Sequence, residues 1–80
     1  MARRQLMLTF PSDLVREPLI YNLGQQCKVV TNIRRADVSE NRGWVILELD
    51  GDEKDLEESV LWLTSKGVRT DPVVGDIVEG

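Results

Sequence analysis

Residues 28–50 have the sequence KVVTNIRRADVSENRGWVILELD, in which two runs of alternating residues flank a short polar segment. Alternation with a period of two predicts β-strands, here over residues 28–38 and 44–50. The intervening residues 39–43, SENRG, are rich in turn formers. We therefore predict a β-hairpin at this position.

Each predicted strand of the hairpin has two distinguishable faces, because successive side chains of a strand point to opposite sides. The first strand is predicted to place on one face Val29, Thr31 and Ile33, and on the other Val30, Asn32, Arg34, Ala36 and Val38. The second strand is predicted to place on one face Val45, Leu47 and Leu49, and on the other Trp44, Ile46, Glu48 and Asp50.

Further elements are predicted on both sides of the hairpin. Residues 4–10 alternate like a half-buried strand, and residues 19, 20, 23 and 27 follow the helical repeat. Asp52 is placed to cap a second helix at its start and Gly67 to end it. The flanking elements are predicted to be a strand at 4–10, a helix at 18–27, a helix at 51–66, a strand at 68–73 and a mobile tail at 74–80.

The predicted order is β-α-β-β-α-β, which specifies an α+β fold. Two right-handed crossovers place both helices on one face of a four-stranded antiparallel sheet with strand order 4-1-3-2. This is the ferredoxin-like sandwich, predicted as a single domain over 1–80 with its core at about 4–73. The second and fourth strands are its edges.

Composition excludes several classes of function. The net charge of −4 disfavours nucleic acid and anionic membranes, and no apolar run reaches the ~20 residues of a membrane span. Histidine is absent and Cys27 is the single cysteine, so we expect no metal, no cofactor and a reducing, cytoplasmic location. We expect no catalytic residue. Acylphosphatases share the topology, but their first loop contains a glycine, which residues 10–16 lack.

The sheet face opposite the helices is predicted to expose three apolar residues, Met7, Trp44 and Ile46. Apolar residues with a polar rim mark contact surfaces, so these three are predicted interface residues. The second strand is a long edge that invites pairing with another chain. Arg34 and Arg35 are consistent either with protection of that edge or with a symmetric dimer that uses it.

Several short motifs follow one another over about residues 6–71: Glu17-Pro18-Leu19-Ile20, Val29-Val30-Thr31-Asn32-Ile33-Arg34, residues 43–53, Leu61-Trp62-Leu63 and Gly67-Val68. In their order and spacing they resemble the NIL domain family. The family's Asn-Ile-Leu triplet reads Asn32-Ile33-Arg34 here, so arginine replaces leucine. The resemblance implies the ferredoxin-like fold, dimerisation and methionine binding of the kind that regulates methionine importers. It makes the triplet the predicted ligand-binding residues, with Asn32 in the family's ligand-contacting position.

Two functions follow as hypotheses. The first is a homodimeric sensor of an amino acid such as methionine or a related sulfur metabolite. The alternative is a protein-interaction module that docks on an enzyme, transporter or ferredoxin partner through the open face or the edge strand. An amide such as that of Asn32 can bind both charged groups of an amino acid, but on an edge strand it can equally bind water or turn backbone.

Overall fold

The computed structural model describes residues 1–75 and 77–78. Its elements, in chain order, are β1 (Ala2–Phe10), α1 (Leu19–Cys27), β2 (Val30–Val38), β3 (Gly43–Gly51), α2 (Glu53–Ser65), β4 (Arg69–Val74) and β5 (Ile77–Val78). The predicted β-α-β-β-α-β order is confirmed, and the short β5 is an addition to it.

The strands form one antiparallel sheet with the order β2-β3-β1-β4-β5. The predicted order of the first four strands is therefore confirmed. Within the segment 74–80, for which we predict a mobile tail, Val74 belongs to β4 and Ile77–Val78 pairs with that strand, while the mobility of the segment stays a prediction. Residues 76, 79 and 80, which the same prediction included, lie outside the described residues.

The core lies between the sheet and the two helices. Leu8 and Leu47 on the central strands and Leu63 on α2 are completely shielded from solvent. Burying a leucine side chain contributes about 1.5–3 kcal/mol, so this layer is the main source of stability. The buried apolar residues are Leu6, Leu8, Phe10, Leu19, Leu23, Cys27, Val29, Val45, Leu47, Leu49, Leu56, Leu63 and Val68.

The ends of α1 are set by the residues on either side of it. Pro18 occupies the N-cap position, where its missing N–H costs nothing. Lys28 adopts a left-handed backbone conformation with φ of 56° and ends the helix. Because this conformation is incompatible with a strand, β2 begins at Val30 and not at Lys28 as predicted.

The predicted boundaries of α2 are close to those observed. Asp52 is the N-cap residue, although its side chain makes no capping hydrogen bond. Gly67, with φ of 91°, follows the helix, and the Val68 N–H donates to the Leu63 carbonyl at 3.1 Å. Together with the bond from Gly67 to Thr64 this forms a Schellman motif, which satisfies the last carbonyls of the helix.

A β-bulge interrupts the pairing of β2 with β3. Ile33 lies opposite Leu47 and Arg35 lies opposite Ile46, so Arg34 is an extra residue on β2. Beyond the bulge the two faces exchange, and Ala36 lies opposite the interior residue Val45. The prediction that Ala36 and Val38 share a face with Asn32 was therefore wrong, because the extra residue breaks the period of two.

Candidate functional site

The helix-side face of β2 borders an apolar groove of about 250 Å³, here called the β2–α1 groove. One wall is β2, the other is α1 with the loop before it, and the floor is formed by β1 and β3. Its lining residues are Phe10, Leu14, Val15, Glu17, Pro18, Leu19, Ile20, Tyr21, Ile33, Val38 and Val45.

Three large apolar side chains of this groove are open to solvent. Tyr21 is 67% exposed, Ile33 54% and Val38 55%. Phe10 and Val45 beneath them are buried. Contiguous apolar surface that the fold leaves uncovered marks binding sites, so the groove is the principal candidate site.

The loop between β1 and α1 is held in place by two successive turns. The Leu14 N–H donates to the Pro11 carbonyl at 3.0 Å, and the Glu17 N–H donates to the Leu14 carbonyl at 3.1 Å. Leu14 and Val15 pack against the core, which anchors the loop. The turns thereby present Glu17 to the groove.

The start of α1 adds a second polar feature to the groove. Pro18 provides no side-chain cap, and the first turn of the helix contains no acidic residue. The first N–H groups of a helix lack partners within it and carry a partial positive charge. Ile20 and Tyr21 of this turn line the groove, which therefore combines apolar walls with a carboxylate and a positive helix end.

The open face of the sheet, opposite the helices, brings the predicted interface residues together. Met7 lies opposite Ile46, and Trp44 lies opposite Thr9, two residues along the same strands. Met7, Trp44 and Ile46 are half-buried although no helix covers them. The open face therefore has a narrow apolar centre, and the more exposed apolar surface lies in the β2–α1 groove.

An ion-pair network lies next to this apolar centre. Glu48 is 8% exposed, and one of its carboxylate oxygens accepts a hydrogen bond from the Gln5 amide at 3.1 Å. The other lies 3.2 Å from Nε of Arg3, which also donates to Asp50 at 2.9 Å. That hydrogen bond and the charge of Asp50 raise the pKa of Arg3. Both oxygens of Glu48 are thus satisfied.

Comparison with known proteins assigns the chain to a family. The sequence profile of the NIL domain matches residues 4–72. The chain belongs to the NIL domain family. The fold is similar to that of the C-terminal domain of an ABC transporter / ATP-binding protein from Enterococcus faecalis, with a TM-score of 0.76 at 19% identity over 88% of this chain and 82% of that one. A search of curated proteins found no match.

In this NIL domain the residues of the triplet Asn32-Ile33-Arg34 lie on both sides of the sheet. Ile33 lines the β2–α1 groove. Asn32 lies opposite Glu48 and therefore on the open face, where Arg34 borders a separate pocket. The structure thus brings only one of the three predicted ligand-binding residues to the groove, and the binding role of all three stays a prediction.

The amino-acid sequence predicts little of the NIL domain's groove. Glu17 falls within a family motif, but no sequence pattern assigns Glu17, Tyr21 or Val38 to a binding site. A signal existed for Tyr21, because residue 21 lies off the apolar stripe of its helix. Val38 had no such signal, since the bulge determines which face it occupies.

Three further observations concern the cysteine, metal ligands and membrane spans in the described part of the NIL domain. Cys27 is buried, and burial raises the pKa of its thiol, which favours the protonated form over the nucleophilic thiolate. Within residues 1–75 and 77–78, no three His, Cys, Asp or Glu side chains converge as metal ligands would. Neither described helix has the length and apolar character that crossing a membrane requires.

Proposed function

We propose that this NIL domain is a non-catalytic regulatory domain that binds an amino acid with an apolar side chain, methionine first among them, as a homodimer. The observation that carries the proposal is the β2–α1 groove. It offers apolar walls, a carboxylate and a helix start within one small volume. The single cysteine, free and buried, fits a reducing compartment such as the cytoplasm.

The dimensions of the groove favour a ligand of amino-acid size. Its volume of about 250 Å³ lies just below the range typical of sites for larger organic ligands. Ile33 and Val38 present aliphatic surface that a ligand side chain would cover. Each methylene removed from water contributes about 0.8 kcal/mol, which makes an unbranched chain such as that of methionine a good occupant.

The polar features of the groove match the two charges of a free amino acid. The Glu17 carboxylate can accept hydrogen bonds from an ammonium group, and such charge-assisted bonds are the stronger kind. The Leu19 N–H already donates to the Glu17 carbonyl at 2.8 Å, and the N–H groups that follow it in the first turn of α1 can bind a carboxylate. An acid and a positive helix end together select a zwitterion over a simple anion or cation.

A second copy of the chain, paired along β2, can close the open side of the groove. This strand is an outer strand of the sheet, and it exposes apolar residues on both faces, Val30 at 62% and Ile33 at 54%. Pairing of β2 with its symmetry mate would cover both and shield the open side of the groove. Asn32 would then lie at the joint between the copies.

Thermal melting and calorimetry with methionine test the binding proposal. Methionine at free concentration [L] is expected to raise the free energy of unfolding by RT ln(1 + [L]/Kd), and the melting temperature rises with it. Ile33→Asp is expected to remove this shift. Leu61→Asp is the matched control, because Leu61 is 68% exposed on α2 and does not line the groove. Absence of both heat and shift with saturating methionine, leucine and norleucine would refute the proposal.

The polar ends of the site are tested with a modified ligand. Glu17→Gln is expected to weaken methionine binding about tenfold, since it removes one charge-assisted hydrogen bond. N-acetylmethionine lacks the ammonium group, so it should bind more weakly than methionine. Its affinity for wild type and for the Glu17→Gln variant should be the same. If Glu17→Gln weakened the binding of both ligands equally, the carboxylate would have another role.

Sedimentation equilibrium measures the dimer directly, and a monomer at all concentrations would exclude the homodimer.

The open face supports a second proposal, that of docking on a protein partner. Met7, Trp44 and Ile46 form one contiguous apolar centre there, and the similar Enterococcus faecalis domain is part of an ABC transporter ATP-binding protein. A transporter ATPase, another enzyme or a ferredoxin is the proposed partner class. Trp44→Asp should abolish recovery of the partner in a pull-down, whereas equal recovery would exclude this face.

A further inference from the structure

We infer that the open face carries a second binding site, for a small organic anion, at the β-bulge of β2. The site is a pocket of about 310 Å³, here called the bulge pocket. It lies on the other side of the sheet from the β2–α1 groove and does not depend on the function proposed for that groove. Its lining residues are Gln5, Arg34, Arg35, Ile46, Val73 and Gly75.

The bulge is what brings two arginines to one pocket. Consecutive residues of a regular strand point to opposite faces, so Arg34 and Arg35 would normally be separated by the sheet. Because Arg34 is the extra residue of the bulge and Arg35 pairs with Ile46, both border the bulge pocket. A bulge commonly redirects a side chain in this way beside a functional site.

The two bulge arginines keep their donors free of ion pairs. Glu48 and Asp50 pair with Arg3, and Asp71 pairs with Arg69. Arg34 and Arg35 form no ion pair with any residue in the described ranges 1–75 and 77–78, and this includes Asp37, which lies opposite Trp44 on the same face. Both guanidinium groups are therefore available to a ligand at the bulge.

The pocket chemistry defines the class of ligand. Guanidinium groups present planar pairs of N–H donors that match the oxygens of a carboxylate or phosphate. Ile46 and Val73 form apolar walls beside them. The amide nitrogen of Gln5 donates to Glu48, so the donors for a ligand come from the two arginines. An oxyanion attached to a compact apolar body matches both the guanidinium groups and the apolar walls.

Titration of the full chain followed by NMR tests this inference with three probes: benzoate, phenyl phosphate and inorganic phosphate. Backbone amide shifts are expected at Arg34, Arg35, Ile46 and Val73 with one or both organic probes. The organic probe that binds with the higher affinity identifies the preferred oxyanion. Inorganic phosphate should bind about tenfold more weakly, because it cannot use the apolar walls. Binding of inorganic phosphate as tightly as both organic probes would overturn the assignment of an organic anion.

Variants separate a defined site from general attraction of anions. Arg34→Gln and Arg35→Gln should each weaken the preferred probe about tenfold, and Arg34→Lys should weaken it less, because it keeps the charge but loses the forked donors. Arg42→Gln in the hairpin turn removes the same charge away from the pocket and should leave affinity unchanged. Equal losses in Arg34→Gln and Arg42→Gln, or no shifts with any probe, would overturn the inference. Because both bulge arginines are exposed, unchanged amide spectra are expected to confirm folding of the variants.

Discussion

The two faces of the sheet are built from alternate residues of the same strands, yet they differ in almost every physical respect. On the helix side, Leu8, Leu47 and Leu49 are completely removed from solvent. On the open face, half-buried apolar residues alternate with paired charges such as Arg3 and Glu48. The helix side therefore stabilises the fold by excluding water. The open face contributes less to stability, because its apolar side chains stay partly in solvent.

The largest expected effect contrasts two neighbours on β3. Leu47→Ala should lower the free energy of unfolding by about 2–5 kcal/mol, because it leaves a cavity in a fully packed layer. Ile46→Ala on the open face should cost only about 1 kcal/mol, since solvent and neighbouring side chains can fill the space. Urea denaturation followed by tryptophan fluorescence measures both. Equal losses would show that the open face is also packed, for instance against a second copy.

A smaller effect is expected for the ion-pair network of the open face. Glu48→Gln keeps the shape of the side chain but removes a nearly buried charge that contacts Arg3 and Gln5. The expected loss is about 1 kcal/mol, because hydrogen bonds to a charged group become weaker neutral ones. Denaturation at low and high salt is the measurement. A gain in stability would mean that burying this charge costs more than its partners return.

The smallest effect is expected for the ion pairs of Arg4 on the helix side of the sheet, because their carboxylates are exposed to solvent. Arg4 lies 3.3 Å from Glu53 and 3.2 Å from Glu57, linking β1 to α2. Both glutamates are largely in solvent, so Arg4→Ala should cost no more than about 0.5–1 kcal/mol, and less as salt is added. A larger loss that salt does not reduce would point to packing of the arginine stem as the main contribution.

Sequence periodicity predicted the parts of the fold in which burial is regular. Leu6 and Leu8 on β1 and Leu47 and Leu49 on β3 alternate strictly, so their strands and interior faces were predictable. Capping residues gave the limits of α2, since Asp52 and Gly67 have well-defined preferences. These signals are local, which is why one sequence suffices to read them.

The bulge and the β2–α1 groove could not be read in the same way. Every residue of β2 from Asn32 onward is exposed, so an extra residue disturbs no burial pattern. The groove depends on how far α1 lies from β2, which is a tertiary distance that no run of residues encodes. Ser59 is a further case, because a polar residue gives no apolar signal, yet this one is fully buried and its hydroxyl donates to the Asp55 carbonyl.

The short strand β5 has a consequence for how the sheet can grow. It covers part of the outer edge of β4 with only two residues, whereas β2 at the opposite end presents nine. A very short terminal strand gives an incoming chain little backbone to template on. Joining two copies through β2 would leave at each outer end the six-residue β4, partly covered by β5, so the longest edge is used up in a closed pair and polymerisation into a fibre is disfavoured.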